Sequence, residues 1–124
     1  MASNTEKLVM DWLNQADELD GWPAMFDVPA DSSAANPTRF ITVERVGGEE
    51  GSFASRPLIA VQVWAETRWM ASEAAARLVL PRLDRLTELD DVCAVNVTGM
   101  THFPMPDGRP RYQILIQIDV RRVD

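Results

Sequence analysis

The side chains able to do chemistry crowd into one stretch near the C-terminus, "HFPMPDGRPRYQILIQIDVRR". His102 is the sole histidine of the chain, and Asp107, Arg109, Arg111 and Tyr112 follow it. A histidine, a carboxylate and a phenol in one cleft could move protons. A metal centre needs more, because no second histidine and no cysteine stands at ligand spacing from His102. A nucleophilic triad needs a serine, and none of Ser3, Ser32, Ser33, Ser52, Ser55 and Ser72 lies in a GxSxG elbow. There is no P-loop, no GxGxxG and no HExxH. "GGEEGS" joins glycines to carboxylates without the lysine of a phosphate cradle, which suits an acidic hairpin tip. Asp90 and Asp91 are adjacent, so in an extended chain they point apart and make a poor acid–base pair. These residues argue against an enzyme, and no cofactor or metal is expected.

The bulk properties narrow the classes further. A chain of 124 residues fits one domain with one core, spanning 1–124. Its apolar share of 46% and charged share of 25% are those of a globular protein. With 12 basic and 19 acidic residues the net charge is −7, the wrong sign for wholesale contact with a nucleic-acid backbone. Arg109, Arg111, Arg121 and Arg122 alternate with acids, as on a paired or solvated strand face. The single cysteine, Cys93, excludes an internal disulfide and, set in "VCAVNV", is expected to be a small buried apolar residue. No apolar run is long enough to span a bilayer. "MASNTEKLVMDW" lacks the pattern of a secretion signal, so a soluble cytoplasmic protein is expected.

The elements that must position these groups follow from periodicity. "SNTEKLVMDWLNQADELDG" forms a first helix, with Ser3 and Glu6 at capping-box spacing and Leu8, Trp12, Ala16 and Leu19 on one stripe. Gly21 stops it, leaving Asp17, Glu18 and Asp20 in a last turn whose dipole disfavours them. A short strand over Met25–Val28 precedes a surface loop expected to be mobile. "TRFITVERV" and "LIAVQVWAE" are strands joined by the long connection "GGEEGSFASRP". Leu58 and Trp64, on the face opposite Ile59, Val61 and Val63, suggest that both sides of this strand are covered. A second helix runs from about Arg68 to Leu86 with Thr67 as N-cap, and Pro81 must kink or split it. Two strands close the chain, the last with Tyr112, Ile114, Ile116, Ile118 and Val120 on one face. The order helix, three strands, helix, two strands gives an α+β domain: a mostly antiparallel sheet of four to five strands with two helices on one side. Both strand groups are expected as antiparallel hairpins, the last tipped by "FPMPDGRP" with Asp107-Gly108 in the turn.

Four features in order carry a family resemblance. They are the amphipathic first helix, "TRFITVERVGGEEGSFASRPLIAVQVWAET", the alanine-rich "SEAAARLVL" helix, and "FPMPDGRPRYQILIQIDVR" leading into the final strand. From about Lys7 to Val123 the chain resembles the tail-terminator or tail-completion proteins of long-tailed bacteriophages and prophages. The resemblance implies a structural protein of this α+β fold that forms a ring, commonly of six subunits. Such a ring sits on the finished tail tube, stops its growth and offers a surface to the head. Its partners would be copies of itself, the tail tube protein and a head-side connector protein. It would assemble in the host cytoplasm and end at the tail–head junction of the virion. No catalytic motif carries over, and Pro81 departs from an uninterrupted second helix.

In such a ring, Arg109 and Arg111 could pair across a subunit boundary with Glu49 or Glu50, and Trp64 and Trp69 could be core or intersubunit anchors. Asp107 and Tyr112 complete the candidate interface. A negative lumen would let DNA pass without sticking. The alternatives are a head–tail neck adaptor and a small-ligand-binding domain using His102, Asp107 and Tyr112 in a cleft beside the second helix.

Overall fold

The computed structural model describes residues 4–50 and 54–121, with the side chains of Asn4, Glu49, Glu50 and Ala54 outside that description. Helix α1 spans Asn4–Asn14. Val9, Trp12, Leu13 and Ala16 repeat at helical spacing and are buried. The helix stops earlier than its periodicity suggests, and a separate 3-10 turn, Asp17–Leu19, continues the apolar stripe to Leu19. Asp17 and Glu18 therefore open a new turn instead of facing the carbonyl end of α1. Asn14 makes this geometry definite. Its Oδ1 accepts from the Ala24 amide at 2.8 Å and its Nδ2 donates to the Ala24 carbonyl at 3.0 Å. Ser3 of the expected capping box lies outside the described residues.

Five strands form one sheet in the order β1-β2-β3-β5-β4, with β1 Ala24–Met25, β2 Phe40–Glu50, β3 Ala54–Trp64, β4 Val92–His102 and β5 Arg111–Arg121. All neighbours are antiparallel except β1, which runs parallel to β2. That corrects the expectation of a hairpin. The strand at Met25–Val28 is two residues long, is held by Asn14, and leaves the sheet before Phe26 and Val28.

The β2–β3 pair is longer than expected, because "GGEE" and "ASRP" continue the ladder as Gly47↔Leu58, Gly48↔Pro57, Glu49↔Arg56 and Glu50↔Ser55. A bulge at Val46 shifts the register there. Gly48 has φ +108, and a Cβ on it would lie 2.6 Å from the Pro57 Cα, so the backbones approach too closely for a side chain.

The second helix is one joined run. Helix α2, Arg68–Ala74, starts at Thr67, whose hydroxyl accepts from the Met70 amide at 3.1 Å. A π turn over Ala75–Val79 follows, then helix α3, Leu80–Asp84, and a 3-10 turn, Arg85–Glu88. The wide turn closes with the Leu80 amide on the Ala75 carbonyl, one residue before Pro81, which has no amide to give. Proline is thus accommodated by a π turn, without a break.

Helices α1 to α3 pack on one side of the sheet. Ile41, Val43, Ile59, Val61, Val63, Ile114, Ile116 and Ile118 meet Ala71, Ala75, Val79, Leu83 and Leu86 there. A reciprocal brace ties α1 to α3. Arg82 donates through Nε (3.0 Å) and Nη2 (2.8 Å) to the Trp12 carbonyl, and Trp12 Nε1 donates to the Arg82 carbonyl at 2.8 Å. The guanidinium carbon lies 3.4 Å from the centre of the Trp12 ring. No helix among the described residues is long and apolar enough to cross a membrane.

Candidate functional site

The opposite face of the sheet carries the polar cluster. Trp64 ends β3 and pairs in register with Phe40 on one side and Arg111 on the other. Its ring stacks on Phe40 at 4.9 Å, and the side chain is buried although it points away from the helices. Its indole donates to Thr42 Oγ1 (3.1 Å), Thr42 donates to Gln62 Oε1 (3.0 Å), and Gln62 Nε2 donates to Gln113 Oε1 (3.1 Å). Four residues on three strands thus form one chain of hydrogen bonds.

The loop after β4 covers this face. The Gly108 amide closes on the Met105 carbonyl at 2.9 Å, with Pro106 and Asp107 at the centre of the turn and Gly108 at φ +93. Proline first and a left-handed glycine last is the chemistry of a type I turn ending in a bulge. The expected hairpin tip is present, centred one residue before Asp107-Gly108.

Two guanidinium groups converge on Trp64, each with its central carbon 5.0 Å from the ring centre. Arg109 is held by Asp107 through Nε and Nη2, both at 3.0 Å, while Asp107 Oδ1 accepts from the Arg109 amide at 3.1 Å. Those bonds to Arg109 hold the Asp107 carboxyl below the usual carboxylate range. Arg109 also donates to Ser32 Oγ at 3.2 Å, pinning the loop that was expected to be mobile. That loop has its own order, with Asn36 bonded to Ser33 Oγ and to the Asp31 carbonyl. Arg111 donates Nε to the Phe103 carbonyl at 2.7 Å, and the Phe103 ring lies 4.5 Å away. Burial lowers its pKa, the charge of Arg109 lowers it further, and Asp107 opposes both.

The other candidates stand elsewhere. Tyr112 and His102 pair across β4 and β5 with rings 5.2 Å apart, one position out of phase with Arg111 and so toward the helices. The Arg68 guanidinium, 3.5 Å from the phenol oxygen, pulls the Tyr112 pKa down, with Ser72 contributing next. Asp107 belongs to the Arg109 cluster, so the sheet separates it from this pair and no His102–Asp107–Tyr112 cleft forms. Trp69 lies on the first turn of α2, 70% exposed, above a shallow groove walled by Trp22, Met70, Ala74 and Leu78. Glu49 and Glu50 end the far side of β2, ten residues beyond Phe40, or about 33 Å at strand rise. Within one chain their backbone positions are thus at the opposite end of the sheet from Arg111.

Cys93 is exposed, contrary to expectation, because it sits at the bulge that opens the sheet's outermost strand. Sequence reasoning also missed Ser32, Phe40, Thr42, Gln62, Phe103 and Gln113. The available signal was the outward phase of Trp64, which implied a covered second face. Among the described residues, no group of three or more His, Cys, Asp and Glu side chains could hold a metal ion. No protein-family model matches the chain, and no curated protein matches it.

Proposed function

We propose that the chain is an assembly subunit whose role is structural: copies close into a ring, most simply of six, that caps a phage tail tube and presents a surface to the head. The phage assignment rests on the resemblance in sequence. The observation that carries self-assembly is the outer edge of β4. Its eleven residues, "VCAVNVTGMTH", include no Asp, Glu, Lys, Arg or Pro, and Cys93, Ala94, Asn96, Thr98, Met100 and Thr101 are exposed. Free edges usually carry charge or proline to block pairing. The opposite edge is treated differently, since β1 lies along Ile41 and Thr42 and Glu6 of α1 accepts from the Arg45 amide at 3.1 Å. A closed ring needs two unlike, complementary surfaces. The β4 edge supplies one, and the exposed Trp69 face of α2 stands ready as another.

The test is solution mass over a concentration series, with negative-stain images of any large species and sedimentation with tail tubes. Closed rings, or a monomer that assembles on tube ends, are expected. A chain that stays monomeric and ignores tube ends would sink the reading.

A further inference from the structure

Arg109 and Arg111 share one tryptophan but differ in what they bond. All three nitrogens of Arg109 are engaged, two by Asp107 and one by Ser32. Arg111 uses only Nε, on the Phe103 carbonyl, and among the described residues its Nη1 and Nη2 bond to nothing. The residue is nevertheless only 9% exposed. No side-chain nitrogen or oxygen sealed from solvent lacks a partner among the described residues, so these terminal amines reach a solvent opening. The local charges also do not cancel, since Arg109 and Arg111 bring two positive charges and Asp107 one negative. Asp107 is taken up by Arg109, and Arg111 has no carboxylate, in a chain with 19 acidic and 12 basic residues.

We propose that Arg111 is the receptor for a carboxylate, which its two terminal amines grip bidentately beside Phe103 and Trp64. A guanidinium offers two parallel N–H groups at carboxylate spacing, and its partly desolvated charge makes that pairing stronger than in water. One surplus positive charge matches a monoanion. The Phe103 and Trp64 rings, centred 4.5 and 5.0 Å from the guanidinium carbon, lie against the guanidinium itself and help to hold it in place. The side chain is held for this role before any ligand arrives. Nε is fixed by the Phe103 carbonyl, and the ring it rests on is fixed by Phe40 and Thr42. The proposal is separate from ring formation, since a small acid can occupy Arg111 in a lone subunit.

The experiment titrates the whole chain, carrying ¹⁵N in arginine and tryptophan side chains, with acetate, N-acetylglutamate amide and inorganic phosphate. Ionic strength and pH 7 are held constant, and light scattering on the same samples reports the assembly state. Saturable movement of the Arg111 Nη and Trp64 indole signals is expected with both carboxylates. Tighter binding of acetate would point to a free small acid, and tighter binding of the blocked glutamate to a protein side chain. Arg111→Gln should weaken binding at least about ten-fold, the scale of a lost charged hydrogen bond. Arg111→Lys keeps the charge without the fork and should also bind more weakly than wild type. Wild-type signals that do not saturate, equal binding by Arg111→Lys, or phosphate outcompeting both acids would overturn the proposal.

Discussion

Asp107 holds the turn and the outer face of the sheet together, because the same carboxylate orients Arg109 over Trp64 and toward Ser32. Its pKa is lowered in the folded chain, so its stabilising contribution is full above the unfolded value near pH 4. That contribution fades as pH falls through the lower, folded value. Asp107→Asn should therefore melt below wild type at pH 7, with the gap closing in acid below about pH 4. Thermal melts followed by tryptophan fluorescence from pH 7 to pH 3 check this, and a gap that persists unchanged in acid would count against it. At this scale the sequence was only partly legible. Trp64, Asp107, Arg109 and Arg111 could be marked as a group because three of them lie within five residues. Ser32 could not, since its bond to Arg109 spans 77 positions. Cys93 was misjudged because "VCAVNV" has the composition of a central strand and the local sequence does not reveal an edge.

At the scale of elements, the brace between α1 and α3 should carry more stability than any surface ion pair. Lys7–Asp11 and Glu73–Arg77 are surface i,i+4 pairs, worth a few tenths of a kcal/mol each. Arg82 is buried and bonds a carbonyl twice, while Trp12 closes the loop in return. Arg82→Ala should cost about 2–3 kcal/mol, measured by urea unfolding, from leaving the buried Trp12 carbonyl without donors. A loss below about 0.5 kcal/mol, the size of a typical surface change, would show that the brace is dispensable. Period-two alternation in β5 made that strand and its core face legible, and Thr67 marked the helix start. The two-residue β1 has too few residues for a period, and its parallel pairing depends on Asn14. The extension of β2 and β3 was hidden because glycine and proline ordinarily signal loops, whereas Gly48 and Pro57 face each other within the ladder.

At the scale of the whole molecule, one edge of the sheet is capped, and among the described residues no strand covers the other. If copies join through that edge, a charge placed on it should block them without touching the core. Asn96→Lys changes an exposed residue in the middle of β4. It should leave the melting temperature within about 1–2 °C, as for an ordinary surface change, and shift the solution mass toward the monomer. An unchanged mass distribution would move the contact elsewhere. The same edge holds the chain's sole thiol, exposed at the bulge where β4 begins. A nitroxide or fluorophore coupled to Cys93 would therefore be site-specific without removing any other cysteine. Label-to-label spectroscopy between copies could then measure the spacing and symmetry of whatever assembly forms, directly in solution.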